Sequence, residues 1–184
     1  FFASDEFIRR HLEILNHNPT NTHIVRKFND YMIYKTNLNK DFYETFVLNP
    51  AGIIAASSNE NNIGKIEFGV DYFTYGKEGP YVKDVYMDEN TGEYSLAFAA
   101  PILKKRSGKF LGVLVIRFNA NKLNEITTGK RSGIKEDTGT FLRRGKTSEA
   151  YIVNKNFQLI TGSRFKEEAI LSQLVNTEPV AAAL

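Results

Sequence analysis

Apolar and polar positions alternate along residues 44–118 in a way that predicts a single antiparallel sheet. Five segments rich in β-branched and aromatic residues are separated by turn signals: 44–49, 52–58, 81–88, 94–103 and 110–118. Pro50-Ala51 and Glu89–Gly92 suit the tight turns of two hairpins. The last segment is almost continuously apolar, which is typical of a central strand buried on both faces.

Helical spacing of apolar residues precedes and follows the predicted sheet. The capping-type residues Ser4-Asp5 stand before an i, i+4 apolar pattern, so an amphipathic helix is predicted that ends within Asn16–Pro19. A second helix is predicted from Thr20 or Asn21 to Thr36, with its apolar side on the sheet. Two shorter helices are predicted after the sheet, within 119–128 and 169–174.

The connection between the two hairpins, residues 59–80, is unusually long for a compact domain. It holds four glycines around the aromatic residues Tyr72, Phe73 and Tyr75. Long loops of this kind are usually lids or binding loops, so we expect it to lie over one face of the sheet, with a ligand site beneath. The alternative is a surface segment that only pins three aromatic side chains onto the sheet to complete the core.

A weak internal repeat suggests a second, incomplete module. Residues 44–58 match residues 149–163 in an acid, an aromatic, two aliphatics, an asparagine, a turn and a closing serine, at an offset of 105 residues. The second module is either truncated, or its hairpin packs on the first module as an appendage. The predicted organisation is a helical segment at 1–40, the first module at 41–128, a linker at 129–146 and the start of the second module at 147–184.

Composition excludes several classes of function. The chain has 184 residues, 24 Lys and Arg against 21 Asp and Glu, and no cysteine. The interspersed charges form no basic stripe for nucleic acid, and disulfides and thiolate metal sites are ruled out. No run of eighteen apolar residues predicts a membrane span, and no signal peptide is recognisable.

Catalytic and metal-binding patterns are also missing from the sequence. Ser57 and Ser58 lack a G-x-S-x-G elbow, there is no cysteine nucleophile, and no GxxxxGK phosphate loop occurs. His11, His17 and His23 recur every six residues, which does not place them on one helical face, so we interpret them as surface histidines. We therefore expect no enzyme activity, no metal and no cofactor.

An ordered series of short motifs resembles the extracellular Cache sensor domains, the PAS-like folds of prokaryotic histidine kinases and chemoreceptors. The motifs are the turn at 49–52, then ASSN at 56–59, IG at 63–64, DYF at 71–73, YVKDVY at 81–86, TG at 91–92, AAPI at 99–102 and GKFLGVLVIRF at 108–118. The resemblance implies an α+β fold: a PAS-like antiparallel five-stranded sheet with a long N-terminal helix packed on it, and part of a second PAS-like module of the double Cache type.

The resemblance also implies where a ligand would bind. In relatives that recognise amino acids, an arginine and aromatic residues of the lid hold the carboxylate. In this chain the arginine is replaced by Val70, while Tyr72 and Phe73 retain the aromatic pair. The tyrosine and aspartate that hold the amine correspond to Tyr86 and Asp88.

The last aspartate of that amine site is replaced by Arg117. A guanidinium repels an ammonium and matches carboxylate or phosphate, so we expect a small anionic or polar metabolite rather than a standard α-amino acid. Alternatively, Arg117 only pairs with Asp84 or Asp88 at a strand end. Asp84, Tyr86 and Asp88 share one face of their strand, and Tyr81 lies on the other. The candidate ligand-binding residues are Tyr72, Phe73, Tyr81, Asp84, Tyr86, Asp88 and Arg117.

The functional expectation is the extracellular or periplasmic ligand-sensing region of a transmembrane receptor, a sensor histidine kinase by preference, whose membrane spans lie outside this sequence. Its partners would be a small-molecule ligand and a second copy of the chain in a homodimeric receptor, with no nucleic acid. The alternatives are the sensor region of a methyl-accepting chemotaxis receptor, or a structural, dimerising PAS-like module without a ligand.

Overall fold

The computed structural model describes residues 2–89, 91–128, 149–163, 165–166 and 168–183. It shows an α+β fold built on one five-stranded antiparallel sheet. The strands are β1 (Phe42–Leu48), β2 (Ile54–Ser57), β3 (Tyr81–Asp88), β4 (Glu93–Leu103) and β5 (Phe110–Asn119). The five predicted strands are therefore all confirmed, with ends that differ by a few residues.

The order of strands in the sheet is β2-β1-β5-β4-β3, so β5 lies in the centre as its apolar sequence predicted. β1 pairs antiparallel with both β2 and β5. Its register places Glu44 opposite Arg117 and Phe46 opposite Val115. Because side chains alternate along a strand, these four side chains share one face of the sheet.

Two helices pack on the opposite face. They are α1 (Glu6–His17) and α2 (Thr22–Asn37), close to the predicted spans. The Asp5 carboxylate caps α1 by accepting from the backbone N–H of Phe7, and the Asn21 side chain caps α2 by accepting from Ile24. The core between helices and sheet consists of Ile8, Leu12, Leu15, Phe28, Met32, Val47, Ala56, Ala100, Ile102, Leu111 and Leu114.

Residues 59–80, which we call the lid, cover the other face of the sheet. The lid begins with a 3-10 turn at Glu60–Asn62, pairs with the edge of β2 through the bridge Ile53–Ile66, and contains the short helix α3 (Asp71–Thr74). Gly76 lies against Ala99 of β4 and Val113 of β5. The expectation that the lid covers one face is therefore confirmed.

The chain divides into two compact units, Phe1–Lys83 with Leu96–Phe118, and Asp84–Ser95 with Asn119–Leu184. The second unit contains α4 (Asn121–Thr128) and α5 (Glu178–Ala183). The helix predicted within 169–174 is wrong: that segment forms turns, and Gln158 bridges Leu174.

The repeat in the second unit forms a tight turn in which the Asn154 side chain accepts from the backbone N–H groups of Asn156 and Gln158. The linker predicted at 129–146 lies outside the described residues, and the predicted domain boundaries stay a prediction. No helix within the described residues has both the length and the apolar character needed to cross a bilayer.

Candidate functional site

A buried ion pair joins the adjacent strands β1 and β5 beneath the lid. Arg117 Nη1 donates to Glu44 Oε2 at 2.8 Å, and the two residues are 4 % and 2 % exposed. Their positions are direct cross-strand neighbours in the β1–β5 register. Charges this deeply buried are tolerated only when further hydrogen bonds replace the lost water, so the surroundings of both groups decide what the pair contributes.

The carboxylate of Glu44 accepts two more hydrogen bonds. The Ser57 hydroxyl donates to Oε1 at 2.8 Å and the Asn62 amide donates to the same oxygen at 2.6 Å. Ser57 belongs to β2, whereas Asn62 belongs to the lid. Glu44 is thus held by three donors, one of which ties the lid to the sheet.

The guanidinium of Arg117 also contacts the lid. Arg117 Nη2 donates to Tyr72 Oη at 2.8 Å, and the Tyr72 hydroxyl donates to Glu67 Oε2 at 3.0 Å. Glu67 Oε1 lies 3.8 Å from the guanidinium, which is an ion pair without a normal hydrogen bond. The guanidinium also lies over the Phe46 ring, 4.8 Å from its centroid.

Tyr72 links the guanidinium of Arg117 to the lid carboxylate of Glu67. Burial raises the pKa of its phenol far above the ordinary value, and although the positive charge of Arg117 acts in the opposite direction, burial dominates. The hydroxyl therefore stays protonated and can accept from Arg117 while it donates to Glu67. Its ring meets Phe46 edge-on at 5.9 Å and is 1 % exposed.

Two lysines bring further positive charge to the lid. Lys65 Nζ donates to the Asn62 side chain at 2.6 Å. Lys83 of β3 lies over the Tyr72 ring, 5.4 Å from its centroid. Lys83 and Arg117 thus place two positive charges beside Tyr72, where the carboxylates of Glu67 and Glu44 also lie.

The structure brings some of the predicted site residues of the first unit together. Tyr72 and Arg117 are hydrogen bonded, as described above. Phe73 is buried but packs on Phe68, with ring centroids 5.6 Å apart. Tyr81 packs on Tyr75 at 5.0 Å and lines a largely apolar groove of about 420 Å³ that also includes Phe98 and Phe118.

The other three predicted residues belong to the second unit. Asp84 is exposed, Tyr86 is half-buried and Asp88 is buried. The role of all seven residues in binding a ligand stays a prediction. The lid aromatic side chains do complete the core in part, because Tyr72 and Phe73 are buried while Tyr75 is half exposed.

Sequence reasoning missed the residues that surround Arg117. Glu44, Asn62 and Glu67 were not candidates, although Glu44 carried a usable signal: it shares a strand face with Phe46 and Leu48, and an acid in that position of a buried strand needs a partner. Asn62 and Glu67 gave no such signal, because their positions depend on the path of the lid.

His17 and His23 are exposed, as predicted. His11 is half-buried, and its ring stacks on Phe7 with centroids 3.7 Å apart. Among the described residues, no group of three or more His, Asp or Glu side chains could hold a metal ion.

The fold of this chain is similar to the folds of several solved sensor domains. The chain superposes on the sensor domain of the Vibrio cholerae histidine kinase DctB with a TM-score of 0.65 at 14 % identity, covering 94 % of this chain and 60 % of that one. It superposes on the extracellular domain of mmHK1S-Z2, described as a candidate histidine kinase, with a TM-score of 0.67 at 12 % identity, covering 98 % and 71 %.

A third similar structure comes from a different class of receptor. The ligand-binding domain of the Pseudomonas fluorescens chemoreceptor CtaA, solved with L-serine, gives a TM-score of 0.53 at 12 % identity and is covered to 63 %. No family model matches the sequence, and no curated protein is significantly similar to it. The chain spans about 60 % of the length of the DctB sensor domain and of the CtaA ligand-binding domain. The resemblance to Cache sensor domains is thus confirmed for the fold.

Proposed function

We propose that this chain is the extracellular ligand-sensing region of a transmembrane signalling receptor, a sensor histidine kinase by preference, and that it has no catalytic activity of its own. The observation that carries the proposal is the buried network that joins the lid to the central strands through Arg117, Glu44 and Tyr72. Apolar residues of similar volume often stabilise a core as well as a buried ion pair does, so a buried charge network beneath a long loop supports a functional role. The fold of known sensor domains supports the same interpretation.

The proposed ligand is a small carboxylate or another anionic metabolite that binds between lid and sheet. Arg117 Nη1 lies 2.8 Å from Glu44 Oε2, whereas its Nη2 lies 3.8 Å from Glu67 Oε1. Glu67 is therefore the more weakly bound of the two carboxylates. A ligand carboxylate that displaces Glu67 would gain a two-pronged contact with the guanidinium. Because Tyr72 is almost fully buried, the ligand enters only when the lid opens, and its binding then shifts the balance between lid positions.

The contributions of Phe73, Tyr81, Asp84, Tyr86 and Asp88 to this site are proposed from the sequence resemblance. The receptor would act as a homodimer, with its membrane spans in segments outside this sequence. The alternative receptor is a methyl-accepting chemotaxis receptor. In it, this chain would be the ligand-binding domain, as a domain of similar fold is in the chemoreceptor CtaA.

A thermal-shift screen of small mono- and dicarboxylates tests the proposal, with the corresponding neutral amides as matched controls. A ligand at 100 times its Kd stabilises by about 2.7 kcal/mol, which raises the Tm of a chain of this length by about 5–10 °C. Lys83→Gln should weaken the shift because it removes positive charge beside Tyr72. Lys77→Gln makes the same charge change at an exposed lid position and should not. If no carboxylate raises the Tm at about ten-millimolar concentration, the proposed ligand class is wrong.

A second candidate function is a structural, dimerising module without a ligand. It is favoured by the burial of Tyr72 and Phe73, which fill the space next to the lid face of the sheet. This function predicts no response to any member of the screen, together with a dimer in sedimentation equilibrium. A ligand-dependent rise in Tm would contradict it.

A further inference from the structure

A cleft between α1 and the β4–β5 turn concentrates positive charge on the first unit, apart from the lid. We call it the basic cleft; it measures about 640 Å³ and is lined by Glu6, Arg9, Arg10, Glu13, Lys104, Lys105, Arg106 and Leu111. Five cations therefore face two carboxylates. A volume of this size is typical of ligand sites and far exceeds that of a single phosphate group.

Hydrogen bonds connect the two walls of the basic cleft. The turn is closed by two backbone hydrogen bonds, from Lys104 N–H to the Lys109 carbonyl at 2.8 Å and from Gly108 N–H to the Lys104 carbonyl at 2.9 Å. The Asn16 side chain donates to the Leu111 carbonyl at 2.8 Å and so fixes α1 against the start of β5. The cations consequently project from two elements that are tied together, which lowers the entropic cost of binding.

The carboxylates in the basic cleft do not neutralise it. Glu6 pairs with Arg9 and Glu13 pairs with Lys104. The hydrogen bond from Lys104, with smaller contributions from His17 and Lys109, holds the pKa of Glu13 below its ordinary value. Arg10, Lys105 and Arg106 are exposed, and within the described part of the chain no ion pair involves them.

Arg9 is a further cation of the basic cleft that is incompletely paired. Its side chain is 17 % exposed, its Nη2 reaches only the highly exposed Glu6, and its buried Nε has no hydrogen-bond partner among the described residues. A half-buried guanidinium whose one counter-ion among the described residues is highly exposed is only partly compensated. An anion in the basic cleft would give the Arg9 Nη atoms a second counter-ion.

From these observations we propose that the basic cleft binds an anion that carries two or more phosphate or sulfate groups. The paired N–H groups of arginine match the oxygens of phosphate and sulfate. Cations line both walls of the cleft, so we infer that a single phosphate or sulfate group does not contact all of them. The source is either a free oligophosphate or a sulfated or phosphorylated sugar, and these share the same recognition chemistry. This site does not depend on the ligand proposed for the lid.

Isothermal titration of the whole chain with inorganic tripolyphosphate tests the proposal, with orthophosphate and sucrose octasulfate as comparison ligands. We expect submillimolar binding of tripolyphosphate at low salt, weakened about tenfold by raising NaCl to about 0.3 M. The double variant Lys105→Gln/Arg106→Gln should weaken binding about tenfold without changing Tm, because both side chains are exposed. Tighter binding of tripolyphosphate indicates a free oligophosphate, and tighter binding of the sulfated sugar indicates a glycan.

The matched control is Arg26→Gln/Lys27→Gln, which removes the same charge from two exposed, adjacent positions of α2. It should change the affinity less than about twofold. The proposal is overturned if tripolyphosphate does not bind at about five-millimolar concentration, if the control weakens binding as much as the cleft variant, or if orthophosphate binds equally tightly.

Discussion

Replacing the buried pair Glu44–Arg117 by apolar residues, one at a time and then together, measures what the charge network contributes. Arg117→Met leaves the Glu44 carboxylate buried without its cation, and Glu44→Leu leaves the guanidinium without its closest anion. Breaking a buried pair in this way costs about 3–5 kcal/mol. Independent effects would add to about 6–10 kcal/mol in the double variant, which is comparable to the whole stability of a typical domain.

The structure predicts a much smaller loss in the double variant. Neither charge then remains, and the main residual cost is that Ser57 and Asn62 lose their acceptor, at about 1–3 kcal/mol for each unsatisfied group that water does not reach. Tyr72 keeps Glu67 as an acceptor and so loses less. We therefore expect the double variant to be about as stable as either single variant, with a coupling energy of at least about 3 kcal/mol.

Urea unfolding measures this cycle. The chain has no tryptophan, so far-UV circular dichroism and tyrosine fluorescence serve as the two probes, and their coincidence checks that unfolding is two-state. With a slope near 2 kcal/mol per molar, each single variant should lower the midpoint by about 1.5–2.5 M. Lys122→Met removes the more exposed pair with Glu125 and should cost less than about 1 kcal/mol. Single losses that simply add in the double variant would refute the reasoning.

Two further predictions concern the lid glycines and the Asp5 cap. Gly76→Ala should lower the Tm by several degrees, because a Cβ there would collide with the Tyr72 carbonyl and come within 2.8 Å of Ala99 Cβ. Gly69→Ala is the control and should leave the Tm unchanged, since a Cβ there meets nothing within 4 Å. Burial raises the pKa of Asp5, but hydrogen bonds from Tyr31 and Lys35 outweigh it and hold the pKa below its ordinary value of 3.8. The carboxylate therefore stabilises the fold above about pH 4 and loses this effect as pH falls through its folded pKa. Asp5→Asn keeps the cap and should lower the free energy of unfolding by about 1 kcal/mol at pH 7. In urea titrations the stabilities of the variant and the unaltered chain should converge near pH 2. A constant difference at all pH values would contradict this assignment.

The sheet could be predicted from sequence because its signals are local. Apolar alternation defined all five strands, and the turns at 50–51 and 89–92 fixed both hairpins. The position of β5 in the middle followed from its continuous apolar sequence, since only a central strand is buried on both faces. These features depend on neighbours in the sequence and on burial, which a pattern of residues records directly.

The partners of Arg117 could not be predicted in the same way. Glu44 lies 73 residues away in sequence and Tyr72 lies 45 residues away, and both are brought to Arg117 by strand pairing and by the path of the lid. The helix predicted within 169–174 failed for a related reason. The backbone N–H of Leu171 donates to the Leu159 carbonyl, and Leu171 has a positive φ of 58°, which a helix does not allow. Helical spacing alone does not reveal this competing pairing.

The hydrogen bonds around Glu44 and Arg117 also predict which functional groups a ligand beneath the lid would need. If the lid opened, Arg117 would lose Tyr72 and Glu44 would lose Asn62, while the two charges would still pair with each other. The guanidinium would then have lost one acceptor and the carboxylate one donor. A simple carboxylate satisfies Arg117 but is repelled by Glu44, whereas a hydroxy acid offers an anionic group and a hydroxyl donor on neighbouring atoms. Lactate should therefore bind more tightly than propionate, by about fivefold to tenfold for one hydrogen bond to a charged group. Equal affinities measured by titration calorimetry would show that Glu44 keeps its own donors when the ligand binds, and that the lid does not open by releasing Asn62.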